Sequence, residues 1–154
     1  MTPLLTKIQE LLDSQQISYE IKDHPAVRTS QEAAQARGES LQIGAKALLV
    51  KDDTRFVLLI LPAHLKLDTK KAKKVLNSRN LRFATPEELM QLVQVEKGAV
   101  PPFGPLFEVE MIVDHKLFEN EFIAFNAGSL ETSIKMRTQD YKRIINPRVE
   151  DIVE

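Results

Sequence analysis

The chain has 154 residues, enough for one domain with one core, and 43% apolar with 28% charged residues is the ordinary balance of a globular protein. Lys plus Arg number 21 against 22 Asp plus Glu, a formal net charge of −1, so any nucleic-acid contact has to be a local patch. No cysteine is present, which excludes disulfides, thiolate metal sites and a thiol nucleophile, and no apolar run approaches the ~20 residues of a membrane span.

In chain order, Thr2 is placed to cap a first helix with Pro3 at its first position, and Leu4, Leu5, Ile8, Leu11 and Leu12 recur at helical spacing. Because Lys7 follows so soon, this is no secretion signal, and the expected setting is the cytoplasm. Ser18 to Lys22 alternates as a short strand that His24-Pro25 ends. Thr29 with Glu32 forms a capping box for a helix running to Gly38. Ala45 to Val50 and Phe56 to Leu61 are strands joined by a polar hairpin loop. Asp68 caps a basic helix to about Leu76, and Thr85-Pro86-Glu87-Glu88 opens another. Lys97 to Pro105, with two glycines and three prolines, cannot be regular structure. Val109 to Asp114, Glu121 to Phe125 and Glu131 to Met136 read as strands, and Thr138 as the cap of a last helix to about Ile145. Helices and hairpins intermingle, so the class is α+β in a single domain, residues 1–154, with a mixed or largely antiparallel sheet.

Phosphate-binding, dinucleotide, zinc-protease and nucleophile-elbow motifs are all absent. His24, His64 and His115 stand far apart: His24 precedes a proline turn, His115 lies in a charged loop, and His64 follows Pro62 where it could edge a site. No metal ligand set and no cofactor is expected.

Four features carry chemistry. Lys46 interrupts a run that otherwise reads as a strand buried on both faces, pointing the same way as Leu48 and Val50. It is either a strand-end lysine whose stem reaches solvent or an ammonium lining a polar cavity. Lys97-Gly98-Ala99-Val100-Pro101-Pro102-Phe103-Gly104-Pro105 is a stiff loop expected to present the N–H groups of Gly98, Ala99 and Val100, or else a rigid surface connection. Asn126-Ala127-Gly128-Ser129 is a turn with amide and hydroxyl groups at a sheet end. From Lys66 to Arg82 the charge is lopsided, with Lys70, Lys71, Lys73 and Lys74 on one helix. That is either a solvated face or a phosphate-backbone footprint. Aromatics at 6% give little sign of a base-stacking platform.

Together Gly44 to Val50, Leu67 to Leu76, Gly98 to Gly104 and Asn126 to Ser129 resemble, in order and spacing, the YbaK/ProX-like family. This is the editing-domain family also inserted in bacterial prolyl-tRNA synthetases. The resemblance implies a mixed, partly closed β-sheet around a pocket, flanked by helices. It also implies hydrolysis of the ester joining a wrong amino acid to the 3′ end of a tRNA. It places the family's essential lysine on Lys46, the glycine-containing pocket loop on Gly98 to Gly104, and the second pocket-lining loop on Asn126 to Ser129. The catalytic candidates are thus Lys46, Gly98, Ala99 and Val100, and the substrate-binding candidates Pro101, Phe103, Gly104, Asn126, Ala127, Gly128 and Ser129. Cysteine-removing members typically carry a Gly-Gly-Ile-Ser-Pro-Leu-Gly-like loop and alanine-removing members a His-Pro-Leu-like segment. Gly-Ala-Val-Pro-Pro-Phe-Gly and Phe125-Asn126-Ala127-Gly128 match neither, so the resemblance leaves the amino acid open.

The expectation is a deacylase acting in trans on the aminoacyl-tRNA 3′ end, with a synthetase or elongation factor as further partner and oligomeric state unspecified. Lys46 would hold phosphate or ribose, polarise the carbonyl, or act as base. A non-catalytic module that binds a nucleotide or the aminoacyl end is the alternative, and a structural or protein-interaction domain the third reading.

Overall fold

The computed structural model describes residues 3–154. Helix α1 (Pro3–Ser14) buries Leu5, Ile8 and Leu12, the apolar stripe its spacing predicts, while the expected cap Thr2 lies outside the described residues. Strand β1 (Tyr19–Asp23) leads into α2 (Ser30–Arg37). Both halves of the Thr29/Glu32 capping box are made, and Gly38 closes α2 at φ 71°, the left-handed conformation that glycine adopts without a Cβ clash. Strands β2 (Ala45–Lys51) and β3 (Phe56–Pro62) form the expected hairpin, and Asp68 caps α3 (Thr69–Leu76). A two-residue strand β4 (Arg82–Phe83) precedes α4 (Pro86–Leu92). Then follow β5 (Glu110–Asp114), β6 (Phe122–Asn126), β7 (Thr132–Arg137), α5 (Thr138–Ile145) and β8 (Arg148–Glu150).

The strands make two sheets. One is antiparallel, in order β1-β7-β6. The other is mixed, in order β4-β2-β3-β5-β8: β2 pairs antiparallel with β3 and β4, while β3-β5 and β5-β8 are parallel. The near-continuous apolar run of β3 fits this central position, where both faces are covered. A lone parallel bridge, Gly44 to Ala124, joins the sheets. The expected single curled sheet is therefore two sheets splaying from one bridge, still α+β and not a closed barrel.

Alternation sorts β2 between two cores. Ala45, Ala47 and Leu49 face the main core, shared with α1, Ile123, Phe125, Ile134 and Tyr141, whereas Leu48 and Val50 face a smaller one under α3.

Thr138 does not cap α5. Arg137 occupies the cap position without a side-chain bond, because β7 runs straight into the helix, and the Thr138 N–H is held by the Glu121 carbonyl at 3.0 Å. The Thr138 hydroxyl is buried with no partner. The segment around His115 is no loop but a short 3-10 turn, 115–119, capped by Asp114.

Candidate active site at the splay of the two sheets

Past the Gly44–Ala124 bridge the two chains diverge. Lys46 is two residues beyond Gly44 and Asn126 two beyond Ala124, so alternation sends both side chains off the same face of the gap. Lys46 is half-buried, opposite Leu61 of β3. Among the described residues its ammonium has neither ion pair nor hydrogen bond, and burial lowers its pKa below the usual lysine value. An uncompensated, partly desolvated cation favours the arrival of an anion or a polarisable oxygen.

The two loops singled out from the sequence are stitched together. Asn126 Nδ2 donates to the Gly98 carbonyl at 2.7 Å, and the Gly128 N–H donates to the Ala99 carbonyl at 3.0 Å. Gly98 is exposed at φ 88°, a conformation that disfavours any other residue. Its N–H and that of Val100 have no hydrogen-bond partner among the described residues.

Other expected members of the site do different work. The Ala99 N–H is not free, since it donates to Glu96 O at 3.1 Å and closes the turn that enters the loop. Phe103 is fully buried, edge-on to Phe125 and Tyr141 at centroid distances of 5.4 and 5.7 Å, so it anchors the loop in the core instead of lining a pocket. Pro101 is buried, and the carbonyl of Pro102 accepts the Tyr141 hydroxyl at 2.6 Å. A Cβ on Gly104 would fall 2.6 Å from the Val109 carbonyl, so that glycine serves close packing. Ala127 belongs to the main core, Gly128 rests on Leu4, and the Ser129 hydroxyl accepts the Glu131 N–H within its own turn. Of the expected set, Lys46 and Asn126 stand beside the gap, Asn126 holds the Gly98 carbonyl, and the N–H groups of Gly98 and Val100 are unpartnered among the described residues.

The basic helix divides in the same way. Lys71 is pinned to the C-terminal segment, 3.1 Å from Asp151 and 2.8 Å from the Val153 carbonyl. Lys70, Lys73 and Lys74 form no side-chain ion pair among the described residues. Helix α3 covers the face of the five-stranded sheet that carries Leu48 and Val50, and Lys46 lies on that face about 13 Å along the strand from Val50.

Three residues join the site that sequence reasoning passed over. Arg37, last in α2, donates from Nε to Ser133 Oγ at 2.9 Å and from Nη2 to Asn126 Oδ1 at 3.1 Å. Asn126 and Ser133 are cross-strand partners, so one guanidinium edge grips one β6-β7 pair. Burial lowers the Arg37 pKa to about 10. His24 Nδ1 lies 2.9 Å from Pro25 O and Nε2 2.7 Å from Ser133 Oγ. A carbonyl only accepts, so Nδ1 carries the proton, and in the neutral ring Nε2 accepts the Ser133 hydroxyl. In the sequence Arg37 looks like any cation in a last helical turn, and His24 like part of a proline turn. Nothing there predicts that they meet Ser133, some 100 residues on. Beside them a cavity of about 340 Å³ opens among Glu20, Lys22, Arg37, Ala124, Ser133 and Lys135.

One further cluster, Asp114, His115 and Asp151, brings three possible metal-ligand atoms within 4.8 Å. Asp114 already accepts the N–H groups of Lys116 and Ile152, and Asp151 is paired with Lys71, so turn capping and an ion pair account for it. His64 is exposed in the turn after β3. Among the described residues no helix is long and apolar enough to cross a membrane.

Comparison with known proteins fits this architecture. The Multifunctional Ser/Thr-tRNA deacylase ProXp-y of Escherichia coli (strain K12) is 33% identical over 144 residues, covering 90% of this chain and 86% of that protein. The Prolyl-tRNA editing protein ProX of Acetoanaerobium sticklandii is 26% identical over 140 residues, 87% of this chain and 85% of that one. A crystal structure described as a candidate trans-editing enzyme for prolyl tRNA synthetase superposes with a TM-score of 0.87 at 25% identity, covering 100% of this chain and 99% of the other. The model of the aminoacyl-tRNA editing domain matches residues 24–144, from the histidine that holds Ser133 to the last turn of α5, and the chain belongs to that family.

Proposed function

We propose that this protein hydrolyses, in trans, the ester of mischarged aminoacyl-tRNA, with Lys46 as the central side chain. The observation that supports it most is a half-buried ammonium without a counter-charge, on the same face as the Asn126–Gly98 stitch, in a chain of the aminoacyl-tRNA editing family.

Ester hydrolysis needs a placed nucleophile and donors for the oxyanion that develops on the carbonyl oxygen. Lys46 holds the terminal phosphate or ribose, or polarises the carbonyl, and the unpartnered N–H groups of Gly98 and Val100 are the oxyanion donors. Water adds to the carbonyl carbon directly or after the neighbouring ribose hydroxyl has been positioned to assist. The bond to the ribose oxygen then breaks and that oxygen takes a proton, leaving free amino acid and uncharged tRNA. Lysines 70, 73 and 74 are the backbone footprint, set on the sheet face that also carries Lys46. Editing is needed because a synthetase pocket gains only about 1–3 kcal/mol per methylene against a smaller amino acid. The work is cytoplasmic, and a synthetase or elongation factor is the partner that hands over the tRNA.

The test is release of amino acid from a panel of mischarged tRNAs, beginning with Ser- and Thr-charged species by analogy with the E. coli relative. Turnover of at least one member is expected. Specific binding of an uncleavable aminoacyl-adenosine analogue, with no turnover on any tRNA, would instead identify a binding module.

A further inference from the structure

We propose that Arg37 is the second cation of the site: its Nη1, with the Lys46 ammonium, seats a phosphodiester of the substrate, while its opposite edge fixes Asn126 against Gly98. This inference rests on the deacylase reading and names what that reading leaves open, the group that answers the uncompensated charge.

The placement is set on every side. Helix α2 spans the gap between the sheets: Ser30 Oγ donates to the Ala63 carbonyl at the end of β3, and Arg37 reaches the β6-β7 pair. The Lys22 ammonium caps the Arg37 carbonyl at 2.9 Å. Nε and Nη2 are consumed by Ser133 and Asn126, so the guanidinium plane cannot swing. Nη1 has no partner among the described residues and lies 3.6 Å from where a Cβ on Gly44 would stand. Gly44 is the bridge residue, and Lys46 leaves the same face two residues further on. Glycine at this bridge keeps the path from Nη1 to the gap open.

The charge account points the same way. No carboxylate lies within ion-pair distance of Arg37 among the described residues. Glu39, the acidic group that it senses most, is occupied by Lys135 through two contacts of 3.0 Å. Two partly desolvated cations thus flank one gap with no ion-pair partner among the described residues, an arrangement that an incoming anion relieves. An aminoacyl ester brings an ammonium, which both cations repel. The anion nearest to it in a charged tRNA is the phosphodiester on the 5′ side of the terminal adenosine. A guanidinium edge and an ammonium suit two oxygens of one phosphate.

The probes are two uncleavable analogues, a 3′-aminoacylamino-3′-deoxyadenosine with and without a 5′-phosphate. The unaltered protein should bind the phosphorylated analogue about 10- to 100-fold more tightly, a preference that Arg37→Gln reduces to about twofold or less. Arg37→Lys should keep much of the preference, yet lose about tenfold in kcat on tRNA, because a lysine cannot grip Ser133 and Asn126 together. In the unaltered protein the side-chain NMR resonances of Arg37 should shift with the phosphorylated analogue and stay put with the other, which reads the contact even should Arg37→Gln fail to fold. Equal binding of both analogues by the unaltered protein, an undiminished preference in Arg37→Gln, or an unmoved Arg37 resonance overturns the proposal while deacylation of tRNA can persist. Loss of deacylation itself on every tRNA, with neither analogue bound, removes the deacylase reading along with it.

Discussion

Lys46 is held in a compromise between folding and function. Burial lowers its pKa, so between that lowered value and the ordinary lysine value of about 10.4 the unfolded chain binds the extra proton, and folding stability rises as pH rises through that window. Replacing it by methionine keeps the stem and removes the charge. Lys46→Met should therefore raise Tm by about 2–4 °C at neutral pH while deacylation collapses, a trade that a thermal melt and a rate measurement read together. The wild-type rate should in turn fall at a pH below the ordinary lysine range, because the cation is the working form. The anomaly of an ammonium in an apolar strand was legible in the sequence, since alternation alone sets its face. The role of Arg37 was not: its partners come from β6 and β7, and no local pattern reports a contact across some 90 residues. Phe103 entered the substrate-binding candidates through the family resemblance of the Gly98–Gly104 loop. In the structure its ring is buried against two aromatic neighbours, contacts no local pattern reports, and Phe103→Ala should cost about 3–5 kcal/mol in a denaturant melt.

Among the elements, α2 couples local structure to chemistry. Its capping box is complete, and its last residue holds the β6-β7 pair. Thr29→Ala should cost about 1 kcal/mol of stability and also slow deacylation, since fraying α2 loosens Arg37 from Asn126. The equivalent change at Thr85, in an equally complete box on α4, should cost a similar amount and leave kcat unchanged, which separates general destabilisation from loss at the site. Both boxes are short-range patterns and so were readable from the sequence. Strands β4 and β8, two and three residues long, carry too few side chains for alternation to register, and the parallel pairing of β3 with β5 is fixed by sheet order, which no window of sequence contains. Thr138 failed as a cap because β7 passes into α5 without the extra residue that would let its hydroxyl turn back.

For the whole molecule, a formal net charge of −1 conceals an uneven surface. Changing Lys70, Lys73 and Lys74 together to glutamine should raise KM for aminoacyl-tRNA and reduce the slope of log KM against log salt by about 2, with kcat little altered. Lys71→Gln should instead lower stability, because that lysine ties the C-terminal segment to α3. The two-sheet architecture places the basic helix and Lys46 on one face, with the glycine loop, the Asn126 turn and α2 meeting at the gap beyond the bridge. The most direct test of this account is single-turnover deacylation of a mischarged tRNA by the wild-type protein and by Lys46→Ala, with folding of both checked by thermal melting. The account predicts amino-acid release by the wild type and a loss on the order of 100-fold in the folded variant. An unchanged rate in folded Lys46→Ala would contradict it.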